Sequence, residues 1–289
     1  MIIIIIDRKN RVIGHLMSQA IVEALPTPRT GPRSRVSVMS YAARLALPVA
    51  LLAIWQIVTS IGWVEPFLMP SPLRVAETLY QLIASGQLLR HVGASFLRVS
   101  QGFSIAATTA FAIGLAMAVF PPVTRLADLL IQVLKPIPPI AWIPLAILWF
   151  GIGEQAKVFI IVLGAFFPIL VSTVEALRQV DRRFVELARV LEVGRGDFVR
   201  KILIPSALPQ IMTGLRLGFA YSWMCVVAAE LIAASKGLGY LIMDGRELSQ
   251  VDLVLAGMLT LGVVGKLSDD GLRVVERRLI RWRTTFAGY

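Results

Sequence analysis

The chain is poor in charge, sulfur and imidazole. Only 16% of its 289 residues are charged, and it holds one cysteine and two histidines. A single cysteine, Cys225, allows no disulfide within the chain. It lies in an apolar run, and His15 and His91 stand far apart, so no Cys/His metal cluster is expected. The phosphate-cradling pattern G-x-x-x-x-G-K-[ST] is absent, so this chain is not expected to hydrolyse ATP itself. Acidic residues are also scarce, 18 Asp and Glu against 29 Lys and Arg, a net charge of +11. In a polar protein that excess would suggest nucleic acid. Here the basic residues flank apolar runs, the pattern of cytoplasmic membrane borders, and no nucleic-acid partner is expected.

Apolar residues are abundant. They make up 56% of the chain, and mean hydropathy is +0.74, above the roughly 45–50% of soluble domains. The length gives room for one membrane domain and no second soluble one. A bilayer core takes about 20 apolar residues in helix. Six stretches qualify as expected spans: Ala42–Trp63, Ser95–Val119, Leu126–Phe150, Val158–Val174, Ile211–Ala233 and a weaker one from Val251 to Leu267. The last is cut short by Lys266, Asp269 and Asp270, and its helix is expected to continue, amphipathic, through Leu272, Val275 and Leu279. Residues 1–38 read as a disordered cytoplasmic tail, with Met17 and Met39 as alternative starts, and 39–289 as the membrane domain.

Lys and Arg placement sets the orientation. Arg29, Arg33, Arg35 and Arg44 flank the first span. Arg178, Arg182, Arg183, Arg189, Arg195, Arg200 and Lys201 fill the loop after the fourth. Arg273, Arg277, Arg278, Arg281 and Arg283 follow the sixth. Six spans with both termini cytoplasmic put all three groups on one face and Val64–Gly93 outside, where Val75–Ile83 suggests a short surface helix. In the third span, Pro136, Pro138, Pro139 and Pro144 remove backbone donors. Either this helix is kinked and lines a pathway, where a cavity or neighbours satisfy the freed carbonyls, or the span starts after Pro139 with Lys135 at the interface.

The loop of residues 176–209 carries most of the functional signal. Phe184, Leu187, Ala188 and Leu191 share one helical face, and Gly194-Arg195-Gly196 interrupts the pattern. A second helix opens at Asp197, on the favourable side of its dipole, with Phe198, Val199, Ile202 and Leu203 as its apolar side. Two short helices meeting at a glycine elbow could lie on lipid or seat in the groove of a soluble partner.

The same stretch resembles the coupling loop of ATP-binding-cassette importer permeases, whose pattern is E-A-A, three residues, a glycine, nine residues, then I-x-L-P. Glu186, Leu187 and Ala188 stand for E-A-A, and Ile202, Ile204 and Pro205 for I-x-L-P in register. Glu192 occupies the glycine position, and Gly194 is expected to supply the elbow instead. The run from Pro136 to Pro144, Trp149-Phe150-Gly151-Ile152-Gly153-Glu154, Thr213-Gly214-Leu215-Arg216, Ala229-Glu230-Leu231-Ile232 and Lys236-Gly237-Leu238-Gly239-Tyr240 are similar to the subfamily that moves taurine, alkyl sulfonates, nitrate and related small anions.

The resemblance implies an all-α membrane protein of six spans with a two-helix coupling loop, the fold of type I importer permeases. It implies a plasma (inner) membrane location and a second permease subunit, expected as a homodimer. It further implies cytoplasmic ATPase subunits that hold ATP and Mg, an extracytoplasmic solute-binding protein, and no cofactor on this chain. Glu186, Leu187, Ala188, Gly194, Ile202 and Pro205 are the coupling candidates. Pro139, Trp142, Pro144, Ser222, Trp223 and Glu230 are the pathway candidates. An ionisable residue at membrane depth is a functional candidate by default, but a carboxylate repels an anionic cargo. Glu230 therefore reads as structural, paired with Arg216 of the partner subunit or with backbone groups. Two other readings are a membrane scaffold or sensor without transport, and a gradient-driven secondary transporter.

Overall fold

The computed structural model describes residues 38–65, 67–190 and 192–280. The expected tail, save Val38, lies outside them, as do Leu191, Arg281 and Arg283. All regular structure among the described residues is helical. The chain divides into two units, Met1–Ile54 and Trp55–Tyr289. Helix α1 (Val38–Ser60) begins in the first, and its apolar part is Ala46–Ser60.

The second unit is built on three long helices: α3 (Gln87–Val119), α6 (Glu154–Arg178) and α9 (Ile204–Ala233). The interfaces of α6 with α3 and with α9 are the most extensive among the described residues. Membrane helices gain little from hydrophobic burial against each other and rely on close packing over small residues. That is visible here. A Cβ on Gly102 would sit 2.5 Å from Ile161, and one on Gly164 only 2.2 Å from the Cys225 sulfur. The outward faces carry large exposed apolar side chains, such as Leu126, Leu129 and Leu148. A water-exposed surface would not sustain so many, and a lipid-facing one does.

The third expected span is two helices, α4 (Pro121–Leu134) and α5 (Ile143–Phe150, preceded by a tight turn over Pro139–Trp142), bent by 90° at the break. Prolines 136, 138 and 139 have no N–H to donate, so residues 135–138 hold only local bonds, such as Ile137 N–H to the Leu134 carbonyl at 3.1 Å. The expected kink is thus a full break. Helix α2 (Pro72–Ala84) covers the predicted surface helix. The Ser71 side chain caps it, and Val75 and Leu82 pack on Leu241, Leu253 and Ala256.

After α9 come α10 (Leu238–Glu247) and α11 (Val251–Leu279). The last is one continuous helix, because Lys266–Asp270 and Asp269–Arg273 pair one turn apart and carry it past the end of the apolar run. Among the described residues, four helices are long and apolar enough to span a bilayer, or five if α4 and α5 count as one. The count of six is not confirmed. The shortfall is at the first span, whose apolar part is limited to Ala46–Ser60.

Candidate functional sites at the two ends of the bundle

The loop predicted as two helices begins where α6 ends. Helix α7 (Arg182–Val190) starts on Asp181, whose Oδ1 accepts the Arg183 N–H at 2.9 Å, an N-terminal cap. It ends in a left-handed turn: Glu192 has φ +53°, and the Val193 N–H reaches back to the Ala188 carbonyl at 2.9 Å. This six-to-one bond with a left-handed residue just before its donor is a Schellman closure. It explains the register of the motif. If the last alanine of E-A-A supplies the accepting carbonyl, the left-handed position falls four residues later, where the pattern has glycine and this chain has Glu192. Gly194, expected to take over the elbow, is not among the residues with positive φ. That expectation is corrected: the position relative to Ala188 decides, not the nearest glycine.

A glutamate in the left-handed region costs about 1 kcal/mol relative to glycine. Glu192→Gly is therefore expected to slow backbone amide exchange across residues 182–193, and Glu192→Val to speed it. Faster exchange in the glycine variant would contradict the closure.

Beyond the elbow, α8 (Arg195–Phe198) passes through a wide turn over Val199–Leu203 directly into α9. Asp197 lies in its first turn and pairs with Lys201 at 3.0 Å. In the wide turn the Ile204 N–H bonds to the Val199 carbonyl, five residues back. This register shift makes room for Pro205, which lacks a donor and would crowd the carbonyl four residues before it. Pro205 and Pro209 therefore stand inside one helix running from Gly196 to Ile232.

The predicted docking edge also changes. Phe198, Val199 and Leu203 pack on Ala176, Leu177 and Val180 at the base of the bundle, with Ile202 half-buried. The outward apolar residues belong to α7, where Phe184 is 46% and Val190 79% exposed. Glu186 is exposed beside them, and Ala188 is buried. For Leu187 only the backbone, within α7, is described.

At the other end of α6 lies a cluster that sequence reasoning does not assemble. Arg98 of α3 sits between two carboxylates. Its Nε and Nη2 donate to Glu154 at 2.5 and 2.8 Å, and its Nη1 donates to Glu230 at 2.7 Å and to the Lys236 carbonyl at 2.6 Å. Glu230 also accepts from the Ser95 hydroxyl at 2.8 Å and from the Gly239 N–H at 2.9 Å. Ser95 accepts the Leu238 N–H, and Lys157 holds Glu154 at 3.0 Å. Arg98 and Lys157 are each 5% exposed and Glu230 1%. Two cations face two carboxylates, so the charges balance, with Arg98, Lys157 and Glu230 buried and Glu154 at the exposed edge.

Gly237 closes the site. Its φ of +133° suits glycine, and a Cβ there would lie 2.3 Å from the Glu230 carboxyl carbon. The His91 ring nitrogen Nδ1 lies 3.1 Å from the Gly237 N–H, and the ring stacks on Tyr240. Three separate motifs, Glu154, Glu230 and Lys236–Tyr240, thus meet on Arg98. Arg216, considered as Glu230's partner across a dimer, instead pairs within its own chain with Asp269 at 3.1 Å and Glu276 at 3.6 Å.

The remaining pathway candidates separate. Ser222 is buried, its hydroxyl donating to the Gly218 carbonyl at 3.0 Å, and Trp223 lies in the core. Trp142 packs against that core, and Pro144 is exposed. Of the six candidates, only Pro139 lines the cavity of about 370 Å³ formed between the α4–α5 break, α6 and α9. Lys135, Ser172 and Tyr221 line it too.

The chain matches the description "Binding-protein-dependent transport system inner membrane component" over residues 102–281. A protein of Bacillus subtilis that carries the name of an aliphatic sulfonates transport permease is 41% identical over 84% of this chain and 88% of its own length. The taurine transport system permease protein of Escherichia coli is 34% identical over 80% of this chain and 86% of its own. The bicarbonate transport system permease protein of Synechococcus elongatus is 33% identical over 82% and 90%. In fold, the chain is similar to a chain of the inward-facing MetNI methionine ABC transporter (TM-score 0.56, 17% identity, 70% of this chain and 98% of that one). It is also similar to a chain of an amino acid ABC transporter (TM-score 0.59, 17% identity, 69% and 97%). On sequence and fold together, the chain belongs to the binding-protein-dependent inner membrane components, the permease subunits of ATP-binding-cassette importers.

Proposed function

We propose that this subunit carries a small oxyanion, of the sulfonate, taurine or bicarbonate type, across the plasma membrane. ATP and Mg²⁺ are held by partner ATPase subunits, and an extracytoplasmic binding protein delivers the cargo. The single observation that supports this most is continuity: the helix that leaves the elbow at Gly196 runs unbroken to Ile232 and carries Glu230 near its far end. A push on the loop is therefore a rigid-body displacement of the residue that anchors the Arg98 cluster.

In this reading the α7–α8 loop lies in the cytoplasm, and Phe184, Glu186 and Val190 face the ATPase. Ala188 and the Glu192 turn fix the angle between α7 and α8, and Leu203 and Pro205 seat α8 on the bundle. The Arg98 cluster is extracytoplasmic and holds α3, α6, α9 and the Lys236–Gly239 segment together. ATPase closure moves α9 and shifts the balance between two arrangements of that end, which is how a nucleotide preference reaches the membrane path. A second copy of this chain completes the path. The test is co-reconstitution with the partner ATPase and binding protein, reading ATP hydrolysis stimulated by ethanesulfonate, taurine or bicarbonate. Stimulation by one of these supports the assignment. Hydrolysis indifferent to all three contradicts the substrate class.

A further inference from the structure

The cavity at the α4–α5 break has a polar lining that neither the loop nor the ion cluster accounts for. Lys135 stands at the break itself, the one charged residue of the lining among the described residues. It is exposed and has no carboxylate partner among them. Ser172 of α6 and Tyr221 of α9 line the same space, and neither hydroxyl is bonded within the described part of the chain. The other walls are apolar, among them Leu163 and Phe167.

The depth matters most. Along α6 the lining runs from Leu163 to Ser172. At 1.5 Å per residue these lie about 13 Å and about 27 Å from Glu154, on a helix of about 37 Å. The cavity therefore sits about midway along α6, a helix long and apolar enough to cross a bilayer. A bare ammonium facing lipid at that depth is strongly disfavoured, and such residues face water-filled paths or a partner charge instead. A cation with two free hydroxyls in an otherwise apolar hollow is the lining expected for one oxyanion. The ammonium supplies charge, the hydroxyls donate to remaining oxygens, and weak, sparse contacts let the ion leave again.

We infer that Lys135, Ser172 and Tyr221 form a half-way station for the oxyanion inside the membrane, with Lys135 as the charge-selecting residue. The inference rests on the transport reading above and adds a site to it. The test uses the native ATPase and binding protein in proteoliposomes, with Lys135→Cys in a Cys225→Ser background so that the introduced thiol is the only one in this chain.

Three results are expected. Lys135→Cys lowers uptake of whichever of ethanesulfonate, taurine and bicarbonate the wild type carries by about tenfold, while Lys135→Arg stays within about threefold. The water-soluble reagent 2-sulfonatoethyl methanethiosulfonate reacts with the thiol in intact membranes, forming a disulfide and releasing methanesulfinate, and abolishes the remaining uptake. The 2-aminoethyl reagent, by the same exchange, restores an ammonium and at least half of wild-type uptake. Normal uptake by Lys135→Cys, or a thiol inert to both reagents in an assembled complex, overturns the station and leaves the transport assignment standing. A wild-type complex that carries none of the three anions sinks both.

Discussion

Replacing Arg98 by methionine is expected to destabilise the protein by about 3–5 kcal/mol, the range for removing one partner of a buried ion pair. The contacts show which group suffers. Glu154 keeps Lys157 at 3.0 Å and is partly open to solvent. Glu230 is fully enclosed and loses the one cation that pairs with it among the described residues, retaining the Ser95 hydroxyl and the Gly239 N–H. The Lys236 carbonyl loses its donor as well. The penalty is therefore mainly a carboxylate left uncompensated in a buried site, and neutralising that carboxylate should return much of it. Arg98→Met combined with Glu230→Gln is expected to be more stable than Arg98→Met alone. Thermal unfolding of the detergent-solubilised complex reads both. A single variant within about 1 kcal/mol of the wild type, or a double variant that loses the full sum of the two singles, would show that the cluster does not act as one unit.

The second large effect is expected at the opposite end and leaves stability untouched. Glu186 is exposed on the same short helix as Phe184 and Val190. Reversing its charge with Glu186→Lys alters no packed contact of the described core. As a folding change it is a surface substitution, within about 0.5 kcal/mol. As a docking change it places a like charge against whatever basic or backbone-donor group the ATPase offers, and truncating or reversing such a partner costs roughly 2–5 kcal/mol of association. Glu186→Lys should therefore unfold at the wild-type temperature yet co-purify with the ATPase at least tenfold less well. Loss of both together would make Glu186 a folding residue. Retention of both would move the docking contact elsewhere on α7.

Local grammar is legible in this sequence, and long-range pairing is not. Prolines 136, 138 and 139 announce the break because a missing N–H is a property of the residue itself. The E-L-A and I-L-I-P registers place the loop, and the amphipathic continuation to Leu279 follows from one-turn charge pairs. The elbow is misread from sequence because glycine's tolerance of left-handed backbone outweighs the position demanded by Ala188, so Gly194 is preferred to Glu192. The ion cluster escapes for another reason. Glu230 stands out as a charge within a span, but its partner Arg98 is 132 positions away, and nothing local to either residue encodes that distance. A usable signal is nonetheless present: Arg98 and Lys157 are also charges in or beside apolar runs. Treating these three together with Glu154 gives two cations and two carboxylates, which balance. Lys135 reads only as an interfacial residue, because depth in the membrane depends on how α4 and α5 bend.

The measurement that bears most directly on the central claim is uptake into sealed proteoliposomes holding this chain with its ATPase and an anion-loaded binding protein. Accumulation of the anion is expected to require ATP on the ATPase side and the binding protein on the other, and to cease with Glu186→Lys. Uptake driven by a proton or sodium gradient without ATP, or no uptake with an assembled and hydrolysing complex, would contradict it.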